Sequence, residues 1–340
     1  MKSTQVVSPV DTLVGSHRLR PLEALPWVIA VAAYFLFPTY LPLASQILIM
    51  VLFALSLDLI LGYAGIITLG HAAFFGVGAY AAGIIAVQGW HEPITGLIAG
   101  GAVAGLVGLI SGLIILRTRG LTLLMLTLAI MFMLHEAANK AGFITGGSDG
   151  LQGMTIAPIF GAFRFDMFGR TAYVYCLFVL FLGWAFLRIV VHSPFGRSLI
   201  GIRENAVRMH AIGTPVRQRM VTAYALSAGL AGIAGALLAQ TTETVSLEVL
   251  SFQRSADVLV MLILGGAGRL YGGIIGAIIY MIARDQLSGM NPQYWYFWIG
   301  LLLILVVTLL PNGILGGLAR LKVLDPLRNL RLAALAWRRT

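Results

Sequence analysis

Charged residues are scarce in this 340-residue sequence: they make up 11% of the chain, whereas hydrophobic residues make up 59%. A soluble domain has roughly 25% charged residues, and a globule cannot bury so much apolar surface. A second cysteine is also lacking, so Cys176 forms no internal disulfide and no thiolate metal cluster. We therefore predict a membrane protein in which Cys176 is a small residue facing lipid or the core.

Nucleotide-binding and metalloprotease motifs are missing as well. The sequence contains no G-x-x-x-x-G-K-[ST] segment, no H-E-x-x-H segment and no paired cysteines. The chain therefore has no Walker-type site to hydrolyse ATP by itself, and an integral membrane enzyme is the least favoured class. Any transport must draw its energy from a gradient or from a partner.

Long apolar runs without alternation predict membrane-spanning helices, each of about 20 residues, and not a barrel. Clear candidates are 27–43, 44–61, 94–116, 121–134, 172–191, 221–239 and 294–310, together with a glycine-dense run over 71–87. Two shorter runs, 257–264 and 272–283, are separated by glycines and Arg269, and they form either two short tilted helices or one re-entrant pair. We predict an all-α polytopic bundle of about 8–10 spans.

The basic residues that give the chain its net charge of +10 fall between the apolar runs. This placement is typical of cytoplasmic loops and not of a nucleic-acid-binding face. The basic segments are the tail 1–26, Arg117 with Arg119, the stretch 192–220 and the tail 318–340. Alternating the sides puts all of them on one face and the nearly charge-balanced loop 135–171 on the other. We predict an uncleaved N-terminal tail, a transmembrane permease domain over 27–317, and both termini in the cytoplasm. The leucine- and arginine-containing C-terminal tail either lies among lipid headgroups or is solvated.

Small residues recur every four positions along one predicted span: Gly96, Gly100, Ala104, Gly108 and Gly112. Small side chains let helix backbones approach closely in lipid. This spacing predicts a tight contact between two helices.

Glycines also interrupt the segment 62–80, which follows a span containing Asp58. Unwound backbone at membrane depth is tolerated only inside protein or beside a watery cavity. We therefore predict a solute pathway lined by Asp58, Gly62, Tyr63, Gly65, His71, Gly76 and Gly78. A cytoplasmic turn followed by a close-packed helix is the alternative, and Asp58 has either a translocation role or a hydrogen-bonded structural role.

A short amphipathic helix is predicted within the segment 193–220. Its apolar stripe comprises Leu199, Ile202, Ala206 and Met209, and Gly213 with Pro215 ends it. Charged residues lie away from the stripe. Such a helix either docks into a groove of a soluble partner or rests on lipid headgroups.

Four segments of the chain resemble the LivM-type permeases of branched-chain amino acid ABC importers. They are the glycine-interrupted segment 62–80, the amphipathic segment within 193–220, 143–151 (FITGGSDGL) and 262–277 (LILGGAGRLYGGIIGA). The resemblance runs from about residue 44 to 317. It implies a permease pair in the inner membrane that works with two cytoplasmic ATPase subunits and an extracytoplasmic binding protein. ATP and magnesium would be bound by the partners, and this chain would bind no cofactor and no metal.

The resemblance also implies roles for particular residues. Coupling to the ATPase falls to Arg203, Glu204, Asn205, Ala206, Arg208 and Gly213, and an outer-loop motif comprises Gly146, Gly147, Ser148, Asp149 and Gly150. The coupling segment departs from the Glu-Ala-Ala-x-x-x-Gly spacing of other importers, because Gly213 lies nine residues after Glu204. Permeases for urea or other small solutes share this architecture and stay open as an alternative. A self-sufficient channel or secondary carrier is the alternative from another class.

Overall fold

The computed structural model of this protein describes residues 25–158, 166, 169–309 and 313–317. These residues form an all-α bundle, as predicted; within them the only extended pairing is an isolated bridge between Leu151 and Val245. The longer helices are α1 (Leu25–Leu36), α2 (Leu41–Asp58, continued by a π-helix over Leu59–Tyr63), α3 (Ala72–Val87), α4 (Pro93–Ile115), α5 (Leu121–Lys140), α6 (Arg170–His192), α7 (Pro194–Ala211), α8 (Val216–Thr242), α9 (Phe252–Gly265), α10 (Leu270–Met290) and α11 (Trp295–Leu309).

Five of these helices are long and apolar enough to cross a membrane: α2 with its flanking turns, α4, α5, α6 and α8. Three shorter apolar helices, α1, α3 and α11, join them. The chain bends by 116° between α9 and α10. Arg254 near the start of α9 and Arg284 near the end of α10 border the same cavity, so the two helices run out and back as a hairpin. This is the pair predicted from two short runs, and both helices are longer than those runs.

Two helix boundaries differ from the prediction. The break between the first two helices lies at Phe37–Tyr40, not between residues 43 and 44, because Pro38 and Pro42 both occupy helix starts. Helix α5 continues to Lys140 instead of ending at 134, so the connection to α6 begins later than residue 135. Lys140 pairs with Glu136 one helical turn earlier, with a nitrogen–oxygen distance of 3.4 Å, which suits an exposed helix end.

The predicted glycine ridge on α4 packs against α8, the helix with which α4 has its most extensive contact. A methyl group on Gly100 would come within 2.8 Å of the Ala236 methyl, and one on Gly112 within 3.0 Å of the Tyr224 ring. Ala104 is completely buried. The tight helix–helix contact is therefore confirmed, and it places α8 at the centre of the bundle, where it also packs on α3.

The bundle has two distinct ends. Arg119, Ile202, Arg203 and Met220 border one cavity at what we call the arginine end. At the opposite end, which we call the loop end, Leu151 pairs with Val245 after the end of α8. Two of the four basic segments predicted to share a face, the one at Arg119 and the stretch 192–220, thus lie at the same end of the described bundle.

Several predicted segments lie wholly or partly outside the described residues. They are the N-terminal tail over 1–24, the loop residues 159–165 and 167–168, and the basic tail over 318–340. Gly313, which precedes that tail, packs against Gly266 between α9 and α10.

Candidate functional site

The first element of the candidate site is the π-helical end of α2. Its widened turn is closed by hydrogen bonds from Ala64 N to Leu59 O (3.2 Å) and from Ile66 N to Ile60 O (2.8 Å). In a regular α-helix the amide of Ile66 would instead bond to the carbonyl of Gly62. The Gly62 carbonyl is thereby freed for another donor. Single π-turns of this kind occur frequently at functional sites.

That donor is Arg203 of the surface helix α7, whose Nη1 bonds to the Gly62 carbonyl oxygen. The aliphatic stem of Arg203 lies over Gly65, where a methyl group would come within 2.6 Å of Cγ. Gly65 has φ +72°, so both its backbone conformation and the space above it favour glycine. Arg203 therefore fastens α7 to the interrupted backbone that follows α2.

Asp58 joins the α9–α10 hairpin to the same place. Its side chain is completely buried, and Oδ1 accepts a hydrogen bond of 2.7 Å from the amide of Gly268, at the hairpin tip. A methyl group on Gly62 would collide with Asp58 Oδ1 and with the Gly268 backbone. Asp58 is therefore hydrogen-bonded, which the predicted structural role of this residue requires. We call the cluster of Asp58, Gly62, Gly65, Arg203 and Gly268 the Arg203 junction.

The junction unites residues that the sequence had divided between two sets. Arg203 was assigned to coupling and Asp58 to the solute pathway, but in the folded chain both touch Gly62 and Gly268. No sequence spacing signals this contact, since Arg203 lies 141 positions after Gly62.

The apolar stripe predicted on α7 is correct. Leu199 and Ile202 are buried, and Ala206 and Met209 are half-buried. Charged residues away from the stripe, among them Glu204 and Arg208, are exposed. Only the first half of α7 packs closely on the bundle.

The second half of α7 is set off by a kink at Asn205, whose backbone is not helical (φ −156°, ψ 94°). Its side-chain Oδ1 accepts a hydrogen bond of 2.9 Å from the amide of Arg208, so Asn205 caps this half as a new helix start. Gly213, with φ +85°, ends it. Val207 and Ile212 are 76% and 69% exposed. This half therefore presents apolar side chains among charges, beyond the packed bundle.

The remaining residues of the predicted pathway are closely packed. A methyl group on Gly76 would collide with Leu250, and one on Gly78 with the backbone of Gly232. Tyr63 is buried. In this conformation the segment is closed, and its role as a solute pathway stays a prediction.

His71 occupies a buried position just before α3. Its Nε2 lies 2.8 Å from Ser56 Oγ, and its ring stacks on Phe53 at a centroid distance of 5.3 Å. Ser227 of α8 donates a hydrogen bond to the Ser56 carbonyl. A polar contact thus ties α2, α3 and α8 together in the middle of the bundle.

The outer-loop motif forms compact turns at the loop end. Gly146, Gly147 and Gly150 all have positive φ, and a methyl group on Gly150 would come within 2.6 Å of the Val245 carbonyl. Ser148 and Asp149 are exposed. The motif also matches G-x-S-x-G in letters, but no strand precedes it in the described residues, so it lacks the strand–turn–helix of a hydrolase nucleophile. Its glycines shape the compact turns that present these two polar side chains.

No three histidine, cysteine, aspartate or glutamate side chains come together to hold a metal ion among the described residues. The site's polar contacts are made instead by backbone groups, one guanidinium and one carboxylate. This set joins the surface helix α7 and the α9–α10 tip to the end of α2.

Comparison with known proteins agrees with this architecture. A family model described as branched-chain amino acid transport system, permease component, matches residues 39–307. The high-affinity branched-chain amino acid transport system permease protein LivM of Escherichia coli (strain K12) is 27% identical over 299 residues, which cover 80% of this chain and 69% of that protein. A probable LivM of Methanocaldococcus jannaschii is 26% identical over 77% of this chain and 89% of the relative. The L-arabinose ABC transporter permease protein AraH of Azospirillum brasilense is 27% identical over 64% of each chain. No solved structure matches.

Proposed function

Because this chain belongs to the family of branched-chain amino acid transport permease components, we propose that branched-chain or related amino acids cross the membrane through it. It is a multi-pass inner-membrane protein and a transport subunit of an ABC importer. In this proposal an extracytoplasmic binding protein delivers the solute. A second permease subunit completes the membrane part, and two cytoplasmic subunits bind and hydrolyse ATP with magnesium, for which this chain has no site of its own.

The Arg203 junction is the observation that carries the mechanism. The buried half of α7 is anchored by Leu199 and Ile202, while its exposed half offers Val207 and Ile212 to a soluble partner. A displacement of α7 by the ATPase would act through Arg203 on the π-turn of α2 and on the α9–α10 tip at once. Both targets are interrupted backbone, which changes conformation more readily than a continuous helix.

Nucleotide binding must favour one of two arrangements for such a displacement to drive transport. A ligand shifts a conformational equilibrium only by the difference in its affinity for the two states. The permease supplies the element with two arrangements, and the ATPase supplies the difference in binding. We propose that the path near residues 58–78, closed in this conformation, opens in the other.

The orientation proposed for the chain puts the arginine end in the cytoplasm. Residues 192–220 carry five arginines, and retained basic loops mark the cytoplasmic side. Both termini are then cytoplasmic, and the outer-loop motif faces the binding protein.

Relatives named for arabinose, fructose and ribose show that related permeases serve uncharged solutes too. Specificity in such importers rests largely on the binding protein in our proposal, and urea stays an alternative solute. The named LivM relatives favour an amino acid.

The proposal is tested by reconstituting the chain in liposomes, first alone and then with its permease, ATPase and binding-protein partners. We expect labelled leucine to accumulate only with the full set and with ATP. Leucine flux through liposomes that contain this chain alone would contradict the proposal and support a self-sufficient channel or carrier. Accumulation of urea but not of amino acids by the full set would overturn the solute assignment.

A further inference from the structure

A cavity of about 370 Å³ opens at the loop end between α2, the end of α8, and the α9–α10 hairpin. Its volume lies within the range of small-molecule sites, roughly 300–1,000 Å³. Its lining combines four charged side chains with apolar ones. The charged residues are Glu248, Arg254, Arg284 and Asp285, and the apolar ones are Leu43, Ile49, Met50, Leu238, Val249 and Met281.

Each of the two arginines lies close to a carboxylate of the same chain. Arg254, whose side chain is 15% exposed, lies 3.4 Å from the far more exposed carboxylate of Glu248. Arg284 lies 3.7 Å from Asp257 and over the ring of Trp295, at 5.2 Å from its centroid. Ionisable residues inside membrane proteins are costly and mark functional sites by default.

The guanidinium of Arg284 keeps donors to spare. Its partner Asp257 is already bonded by the Tyr280 hydroxyl (2.6 Å) and by Gln253 Nε2 (3.0 Å). The distance from Arg284 to Asp257 exceeds hydrogen-bond length, and Arg284 makes no hydrogen bond to any other described residue. An arginine has five N–H donors in a planar fork that matches a carboxylate. A carboxylate in the cavity would therefore meet a positive group that is fixed in position and incompletely bonded.

We propose that this cavity binds a free amino acid with an aliphatic side chain, as a station on the permease itself. The α-carboxylate pairs with Arg284 and Arg254, and the α-ammonium with Glu248 and Asp285. The side chain lies on the apolar wall formed by the half-buried residues Leu43 and Leu238. The inference rests on the proposed import of amino acids and assigns a site for them on this chain.

An uncharged solute fits the cavity less well. A sugar or urea would displace water from two guanidiniums and two carboxylates without offering an opposite charge, and such desolvation is costly. A zwitterion compensates both signs at once. The mixed charge of the lining is thus better explained by an amino acid.

A second cavity adjoins the first at the loop end. It measures about 510 Å³ and shares Gln46 and Thr242 with the first. Asp166 and Glu243 line it. The two cavities therefore adjoin each other at Gln46 and Thr242.

The test uses the complete membrane complex in nanodiscs without the binding protein. Saturable binding of tritiated leucine is measured by scintillation proximity, with competition by leucine methyl ester, which lacks the carboxylate, and by 4-methylpentanoate, which lacks the ammonium. We expect each analogue to compete roughly 10- to 100-fold less well than leucine, since each loses charge-assisted hydrogen bonds. Competition by 4-methylpentanoate equal to that of leucine would overturn the proposal in favour of a simple anion site.

Variants locate the binding. Arg284→Gln and Glu248→Gln should each weaken leucine binding by roughly 10- to 100-fold. The matched control is Lys140→Gln, which removes the positive charge of an exposed ion pair at the same end of the bundle. It should leave leucine binding unchanged. If Arg284→Gln fails to fold, Glu248→Gln still decides, because that side chain is 65% exposed. A wild-type complex that transports leucine with its binding protein but binds none without it would overturn the cavity assignment alone. Absence of transport under any condition would instead contradict the proposed function.

Discussion

Arg203 and Gly62 are 141 positions apart in the chain, and a guanidinium hydrogen bond to a backbone carbonyl joins them. The carbonyl is available because, at the π-turn that ends α2, the amide of Ile66 bonds to the carbonyl of Ile60 and not to that of Gly62. A surface helix is thereby linked to the interior at a place where the backbone already departs from a regular helix.

Replacing Arg203 by alanine should uncouple ATP hydrolysis from transport. The change removes a hydrogen bond from a charged donor, worth about 1.5–3 kcal/mol, and the packing over Gly65. We expect ATP hydrolysis to persist while leucine transported per ATP falls roughly 10-fold or more. The measurement is paired ATPase and uptake assays in proteoliposomes. Arg197→Ala, an exposed arginine on the same helix, is the control, and an equal loss in both variants would contradict the role of the junction.

Replacing Val207 by aspartate should weaken attachment of the ATPase subunits. Val207 is 76% exposed on the half of α7 beyond the kink, and a buried, unpaired carboxylate at an interface is strongly unfavourable. Co-purification of the ATPase with the tagged permease measures the effect. Phe143→Asp, at an 89% exposed apolar position at the loop end, should retain the ATPase. Full retention by the Val207 variant would remove α7 from the docking surface.

Two glycines on α4 should respond in opposite directions to alanine. A methyl group on Gly108 would collide with the methyl of Ala228, whereas one on Gly105 would meet nothing nearer than 3.6 Å. Overpacking costs about 1–3 kcal/mol, while glycine to alanine in a helix otherwise gains up to about 1 kcal/mol. Thermal unfolding in detergent should show a lower Tm for Gly108→Ala and an unchanged or higher Tm for Gly105→Ala. Equal shifts would show that the α4–α8 contact is looser than described.

Cysteine labelling should reveal the orientation. Cys176 is completely buried, so single cysteines can be introduced against a low background. With a membrane-impermeant maleimide, we expect Ser148→Cys to react in intact spheroplasts and Glu204→Cys only after the membrane is opened. Both native side chains are exposed, so their access to reagent depends on the side of the membrane. Reaction of Glu204→Cys in intact spheroplasts would invert the proposed topology.

The all-α membrane fold, the helix carrying the apolar stripe and the glycine ridge were all predictable. Each depends on local composition or on a period of about 3.6 residues, which the chain displays directly. Helix ends were predicted less well, because they do not follow hydropathy alone. At Pro38, proline starts a new helix. At Lys140, the helix continues past its apolar residues through an exposed ion pair.

The amino-acid sequence by itself determined that this chain is a helical membrane protein, because a bilayer imposes a minimum apolar length on every helix that crosses it. Its motifs also carried the resemblance to a permease family. Only the tertiary structure decided that Arg203 meets Gly62, that Asp58 holds the hairpin tip, and that Arg254 and Arg284 border one cavity. These contacts join helices distant in sequence. Their geometry depends on how the helices pack, which no local pattern specifies.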